Sequence, residues 1–169
     1  MTTKQISVFL ENKPGTLAEF CKVLQKNNID MRALCVADAM DFGIARVIVD
    51  DVYDTVTVLK DEGYICQITK VLTVEMKDEP GALSDILAIL GEKGINLEYT
   101  YAFLTRQRDK AYLVIKVADN KAAANLLEAH GVKVICQDEL EKIFGDGAKY
   151  RVMRLLDRRN RTSGHEIAR

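Results

Sequence analysis

One short motif, Pro-Gly-x-Leu, occurs twice in this chain, and its two copies stand 66 residues apart. The first is Asn12-Lys13-Pro14-Gly15-Thr16-Leu17 and the second is Asp78-Glu79-Pro80-Gly81-Ala82-Leu83. Pro14 and Pro80 are the only two prolines in the sequence. The offset extends beyond the motif: Leu24 with Leu90 and Ile29 with Ile95 keep it, as do Val23–Ile89, Asp30–Asn96, Met31–Leu97, Val47–Leu113 and Ile48–Val114. Self-similarity at a fixed period implies one supersecondary unit used twice. The chain must therefore fold as two like halves.

The motif itself reads as a tight strand-to-helix turn. Proline fixes φ near −65° and removes a donor, and the following glycine accepts conformations that a Cβ forbids. A helix that starts there exposes unpaired N–H groups, which is a place to hold a small anion such as a carboxylate. Thr16 to Glu19 has capping-box spacing, which predicts Thr16 as the N-cap.

The runs on either side follow two periods. Ile6, Val8 and Leu10 alternate with Ser7, Phe9 and Glu11, which predicts a strand with one buried face. Leu17, Phe20, Cys21 and Leu24 make one helical stripe, ending near Asn27-Asn28. Strands follow from Ile29 towards Ala37 and from Phe42 to Val49, the latter interrupted mainly by Gly43 and Arg46. Val52, Val56 and Leu59 mark a second helix stopped by Gly63, and Tyr64 to Ile68 is a fourth strand. The second copy repeats this order. Its strands are Leu72–Met76, Ile95–Leu104, Ala111–Val117 and Val132–Ile135, its helical stripes Leu83, Ile86, Leu87, Leu90 and Ala123, Leu126, Leu127, and its hairpin turn Arg106 to Asp109.

Each copy is thus β-α-β-β-α-β, a ferredoxin-like split βαβ of the α+β class, with an antiparallel sheet and both helices on one face. The copies span 1–69 and 70–140, and a basic extension covers 141–169. Little chain separates the copies, which implies one rigid body. The edge strands starting at Ile29 and Ile95 carry few charges, and are expected to pair, within or between chains, into an eight-stranded sheet.

Composition narrows the function. A formal net charge of −1 gives no reason to expect nucleic acid or membrane as a partner. No apolar run approaches the length of a spanning helix, and Met1 to Gln5 leads straight into a strand without a signal-peptide core. Cys21, Cys35, Cys66 and Cys136 fall at no metal or redox spacing, which suits buried, reduced thiols in a cytoplasm. Neither His130 nor His165 lies near a Pro-Gly turn or a candidate nucleophile, so no catalytic residue, metal site or cofactor is expected. His130, before Gly131, suits a helix end. Tyr99, Tyr101 and Phe103 line one face of a strand, where packing is expected rather than base stacking. In 145–169, Val152, Met153, Leu155 and Leu156 are interleaved with arginines, so that the segment is either a solvated extension or a docking helix.

The chemistry-bearing positions recur with the repeat. Asn12 and Asp78 stand at the mouths of the turns, and Asp30 and Asn96 stand 15 residues after the turn glycine, where the helix is expected to return the chain to the same end. Backbone donors beside side-chain oxygens match the polarity of a zwitterionic amino acid.

A strand, then Asn/Asp-x-Pro-Gly-x-Leu, a helix, and then Gly94-Ile95-Asn96-Leu97, or Asn28-Ile29-Asp30-Met31 in the first copy, resembles the ACT domain, the amino-acid-binding regulatory module of amino-acid metabolism. The resemblance covers residues 4–138 as two tandem copies. It implies that Asn12 and Asp78 hold the amino group of a free L-amino acid. It implies that the turns around Gly15 and Gly81 (Lys13, Thr16 and Leu17; Glu79, Ala82 and Leu83) bind the carboxylate. Asp30 and Asn96 would approach across a domain interface. Asp78 stands where the family commonly has an amide, and the first copy carries an acid at 30. The resemblance also implies a homodimer or a pairing of the two units, and a separate metabolic enzyme as the regulated partner. The competing reading is a regulatory subunit that docks to an enzyme, with ligand binding incidental or lost.

Overall fold

The computed structural model describes residues 2–39, 41–104, 109–140, 142 and 143. The chain separates into two compact units, Met1–Gln137 and Asp138–Arg169, and the first holds both copies of the repeat as far as Gln137. The hairpin turn expected at 106–109 lies outside the described residues except for Asp109, and the arginine-rich tail expected from 145 lies wholly outside them.

Eleven elements build the first unit: β1 Thr3–Glu11, α1 Thr16–Lys26, β2 Met31–Ala39, β3 Phe42–Val49, α2 Val52–Asp61, β4 Ile65–Lys77, α3 Ala82–Glu92, β5 Leu97–Leu104, β6 Lys110–Val117, α4 Asn120–Ala129 and β7 Val134–Ile135. All strand pairings are antiparallel, in the order β2-β3-β1-β4-β6-β5, with β7 also on β4. Each copy is the expected βαββαβ unit.

The join between copies differs from expectation. The last strand of the first copy and the first of the second are one strand, β4, which pairs with β1 over Ile65–Val71 and with β6 over Leu72–Lys77. The sheet therefore has seven strands, not eight. Extended backbone runs unbroken through Thr69 and Lys70, because Lys70 is held opposite Lys4 in the ladder. Among the described residues β2 pairs only with β3 and β5 only with β6, so these strands are the two edges of the sheet and do not pair with each other.

The register also refines the repeat. Ile6 faces Val47 in one copy and Leu72 faces Ile115 in the other, an offset of 66 on one strand and 68 on its neighbour. The second hairpin is two residues longer, so Val47 corresponds to Ile115 and Ile48 to Lys116. Asp51 and Asp119, which cap α2 and α4 through their side chains, keep the longer spacing.

Two apolar cores lie under the helices. Phe20 and Leu24 of α1 and Leu59 of α2 pack on Ile6, Val8, Ala45 and Val47. Ile86 and Leu90 of α3 and Leu127 of α4 pack on Leu72, Val74, Leu113 and Ile115. Both cores use even-numbered residues of β4, namely Cys66 and Ile68 for the first and Leu72, Val74 and Met76 for the second. Alternation along one strand thus places all four helices on the same face.

The other face also carries buried residues. Ala33, Ile48, Val71, Phe103, Tyr112 and Val114 are buried yet belong to neither helix-side core. Tyr99 and Tyr101 of β5 hydrogen-bond to Gln5 of β1, although β4 and β6 separate those strands in the sheet. The sheet folds over so that its two halves meet along a seam.

Candidate functional site

The two turns share one construction. Gly15 and Gly81 are the N-caps of α1 and α3, at φ 91° and φ 97°, in the left-handed region. Thr16, expected as N-cap, is instead the first helical residue, because a glycine that adopts positive φ ends the turn one residue earlier. A Cβ on either glycine would meet nothing within 4 Å, so it is the φ angle, and not crowding, that requires glycine. Neither helix has a side-chain cap, which leaves first-turn N–H groups facing outward.

Each turn is tied to the tip of its own hairpin: Asn12 N–H donates to the Asp41 carbonyl at 3.0 Å, and Asp78 N–H to the Asp109 carbonyl at 3.2 Å. Thr16 N–H donates to Lys13 and Ala82 N–H to Glu79, each at 3.3 Å. Lys13 pairs with Glu11 at 2.6 Å and Lys77 with Glu79 at 3.4 Å. Asn12, Lys13, Asp78 and Glu79 are exposed, while Thr16 and Ala82 are half-buried. Leu17 and Leu83 began the expected helical stripes but are 38% and 40% exposed, so each turn carries an open leucine beside its polar groups.

Asp30 and Asn96 lie elsewhere. Met31 pairs with Val49 at one end of β3, while Phe42 at its other end pairs with Glu11, next to the Gly15 turn. Asp30 is therefore at the opposite end of its copy from Gly15, and by the same register Asn96 is opposite Gly81. The cause is strand direction: a β-α-β crossover makes its strands parallel, so the helix returns the chain to the starting end. The antiparallel β1–β4 pairing does direct Asp30 and the Gly81 turn towards one end of the sheet. Asp30 is also engaged, pairing with Arg32 at 3.2 Å, while Arg32 forks onto Asp50 through Nε at 2.9 Å and through Nη2. The hydrogen bond to Asp50 holds the guanidinium pKa above its ordinary value against the opposing effect of burial. A β-bulge falls at Arg32 and another at Glu98, and Glu98 pairs with Lys116 at 3.1 Å, so the two bulges carry ion pairs of opposite sense.

Two further groupings were not anticipated. In the seam, Gln5 donates to Ser7 Oγ at 3.0 Å and to Tyr99 OH at 2.9 Å and accepts from Tyr101 OH at 3.0 Å, and Arg46 stacks 4.1 Å from the Tyr99 ring centroid. Burial raises the Tyr101 hydroxyl pKa, and nearby Tyr99 adds to the shift. The signals of this group in the sequence were the interruption of an apolar strand by Arg46 and the one-faced placement of Tyr99 and Tyr101. Near the Gly15 turn, Phe9, Phe42 and Ile65 form an open apolar patch, 40%, 45% and 72% exposed. The equivalent positions of the second copy are Glu75, Lys110 and Lys133, with Glu75 paired to Lys110 at 2.8 Å.

The four cysteines are free and half-buried, less enclosed than expected. His130 ends α4, with Nδ1 2.8 Å from the Leu126 carbonyl oxygen. Among the described residues no group of His, Cys, Asp or Glu is placed to hold a metal ion, and no helix is long and apolar enough to cross a membrane.

The family model of the ACT domain pair matches residues 1–144. The chain belongs to the ACT domain pair family. The tandem ACT units are thus regulatory modules, joined here through β4. The crystal structure of protein BT0572 from Bacteroides thetaiotaomicron is similar, at 37% identity over 84% of this chain and 97% of that one, with a TM-score of 0.77. The ligand-free regulatory subunit of aspartate kinase from Thermus thermophilus shares the ACT pair fold at 14% identity, over 75% of this chain and 91% of that one, with a TM-score of 0.57. Aspartokinase alpha and beta subunits do so at 18% identity, over 75% and 90% of the two chains, with a TM-score of 0.52. No curated protein matches this ACT pair.

Proposed function

We propose that this ACT pair is a cytoplasmic, non-catalytic sensor of a free L-amino acid that regulates a separate enzyme of amino-acid metabolism. The observation that carries the reading is the recurrence of one turn: in both copies a left-handed glycine opens an uncapped helix beside an Asn or Asp and an exposed leucine. The helix N–H groups suit a carboxylate, and Asn12 or Asp78 suits an ammonium. Lys13, Thr16 and Leu17, or Glu79, Ala82 and Leu83, complete each pocket. Asp30 and Asn96 are proposed to serve the turn of the other copy or of a second chain, and the sensor is proposed to be a homodimer. The proposed units are 1–69 and 70–140, followed by the extension 141–169. The family supports the regulatory role, and the aspartate kinase regulatory subunits that share the fold support an enzyme as partner. Isothermal titration of the full chain against each of the twenty amino acids tests the reading, which requires saturable binding of at least one.

One observation favours the docking reading as well. Phe9, Phe42 and Ile65 are apolar and open where the second copy has Glu75, Lys110 and Lys133, so the fold does not demand apolar residues there. Loss of enzyme capture in Phe9→Glu, with amino-acid binding intact, would separate docking from sensing.

A further inference from the structure

Arg46 lies in the middle of β3, opposite Ser7 on one side and Cys35 on the other, and its side chain enters the seam. The residue is half-buried, and its Nε is shut off from solvent with no hydrogen-bond partner. Among the described residues, no carboxylate pairs with it. The fold does not require a cation here. Ser7 faces Arg46 in the first copy, Thr73 faces Val114 in the second, and Val114 is fully buried in the same seam. An apolar residue thus satisfies this position in one half of the molecule, while the other half carries an arginine whose Nε is buried over an aromatic ring.

The neighbours of Arg46 are also short of acceptors. Gln5 spends its amide hydrogens on Ser7 Oγ and Tyr99 OH, and its carbonyl oxygen takes the Tyr101 proton. The hydroxyls of Ser7 and Tyr99 therefore act as acceptors, and their own protons have no acceptor among the described residues. Arg46 Nε–H has no acceptor among the described residues, and the Ser7 hydroxyl, opposite it in the ladder, and the Tyr99 hydroxyl, on the ring it stacks against, are further donors. A planar guanidinium edge matches the two oxygens of a carboxylate, and a hydroxyl on either side completes their lone pairs.

We infer that the seam between the half-sheets binds a small carboxylate on Arg46, assisted by Ser7 and Tyr99, at a site separate from the Pro-Gly turns. The inference stands independently of amino-acid binding at those turns. Bound there, the anion neutralises Arg46 and ties β3 to β5, and so fastens the first copy to the second.

The test is titration of the full chain with sodium acetate at constant ionic strength, chloride making up the balance. The Arg46 Nε–H signal in a proton–nitrogen spectrum, assigned by its loss in Arg46→Val, should shift saturably, and the melting temperature should rise in parallel. Arg46→Val, which copies the second half, should fold and should lose the acetate-dependent rise. Tyr99→Phe keeps the ring and should weaken acetate binding about ten-fold. Asn12→Ala and Asp78→Ala should leave the Arg46 shift unchanged, which separates this site from the turns. An Nε–H signal indifferent to acetate, a response to inorganic phosphate alone, or an undiminished rise in Arg46→Val would each overturn the inference.

Discussion

The Tyr101 hydroxyl donates to the Gln5 side-chain oxygen at 3.0 Å across 96 residues of sequence, and this bond joins the edge strand of one copy to the central strand of the other. Gln5 is fully buried and is the hub of the seam. Gln5→Leu should leave three hydroxyls without their partner and destabilise the fold by about 1–3 kcal/mol. At about 2–4 °C per kcal/mol for a chain of this size, the melting temperature should fall by several degrees. Calorimetry checks it, and an unchanged melting temperature would mean that the seam is wet.

Gly15 and Gly81 should tolerate no side chain, for a conformational reason. Alanine at φ near 90° should cost about 1–2 kcal/mol at either position, although the space for a methyl group is open. Gly91, inside α3 with equally open space, should behave oppositely, with Gly91→Ala stabilising by roughly 0.5–1 kcal/mol. Urea unfolding of the three variants should show the contrast in sign.

Much of this architecture was legible in the sequence, because hydrophobic period and the repeat agree at most elements. Phe42–Val49 matches its strand residue for residue, and Phe20, Leu24, Ile86 and Leu90 are buried where their stripes predicted. The fusion of two strands into β4 was hidden because Thr69 and Lys70 are polar, and polarity alone does not distinguish a turn from an exposed stretch of strand. The placement of Asp30 depended on crossover geometry, not on spacing. The seam was hidden for a different reason. Alternation assigns Gln5, Arg46, Tyr99 and Tyr101 to a face but does not say that this face meets its counterpart from the other copy.

Tyr112 should give the fold an alkaline limit. It is fully buried, stacked 5.5 Å from Phe103, and its hydroxyl lies 3.4 Å from a Glu75 oxygen. Burial, helped by the Glu75 charge, pushes its pKa up to about 12, from an ordinary value of 10.0. The folded state therefore favours the neutral phenol. Its contribution is complete below the unfolded pKa of 10.0 and is lost as pH rises towards 12. Stability measured by urea unfolding between pH 9 and 12 should decline above about pH 10, less steeply in Tyr112→Phe. An equal slope in both proteins would assign the decline to other groups, the raised Tyr101 among them.

The two turns should be unequal. Asp78 stands beside Glu79, whereas Asn12 stands beside Lys13, so a ligand carboxylate meets less repulsion at the Gly15 turn. If one turn alone is occupied, it should be the first. Magnetisation transfer from the bound amino acid to the Leu17 methyl groups, stronger than to those of Leu83, is the expected result, and the reverse pattern would relocate the site.

The most direct measurement is calorimetric titration of the bound amino acid into the wild-type chain, Asn12→Ala and Asp78→Ala in parallel. Loss of a charge-assisted hydrogen bond of about 1.5–3 kcal/mol should weaken binding roughly ten- to a hundred-fold in the variant whose turn is occupied, without loss of fold. Unchanged affinity in both variants, or no binding of any amino acid to the wild type, would contradict the account and reduce both Pro-Gly motifs to turns.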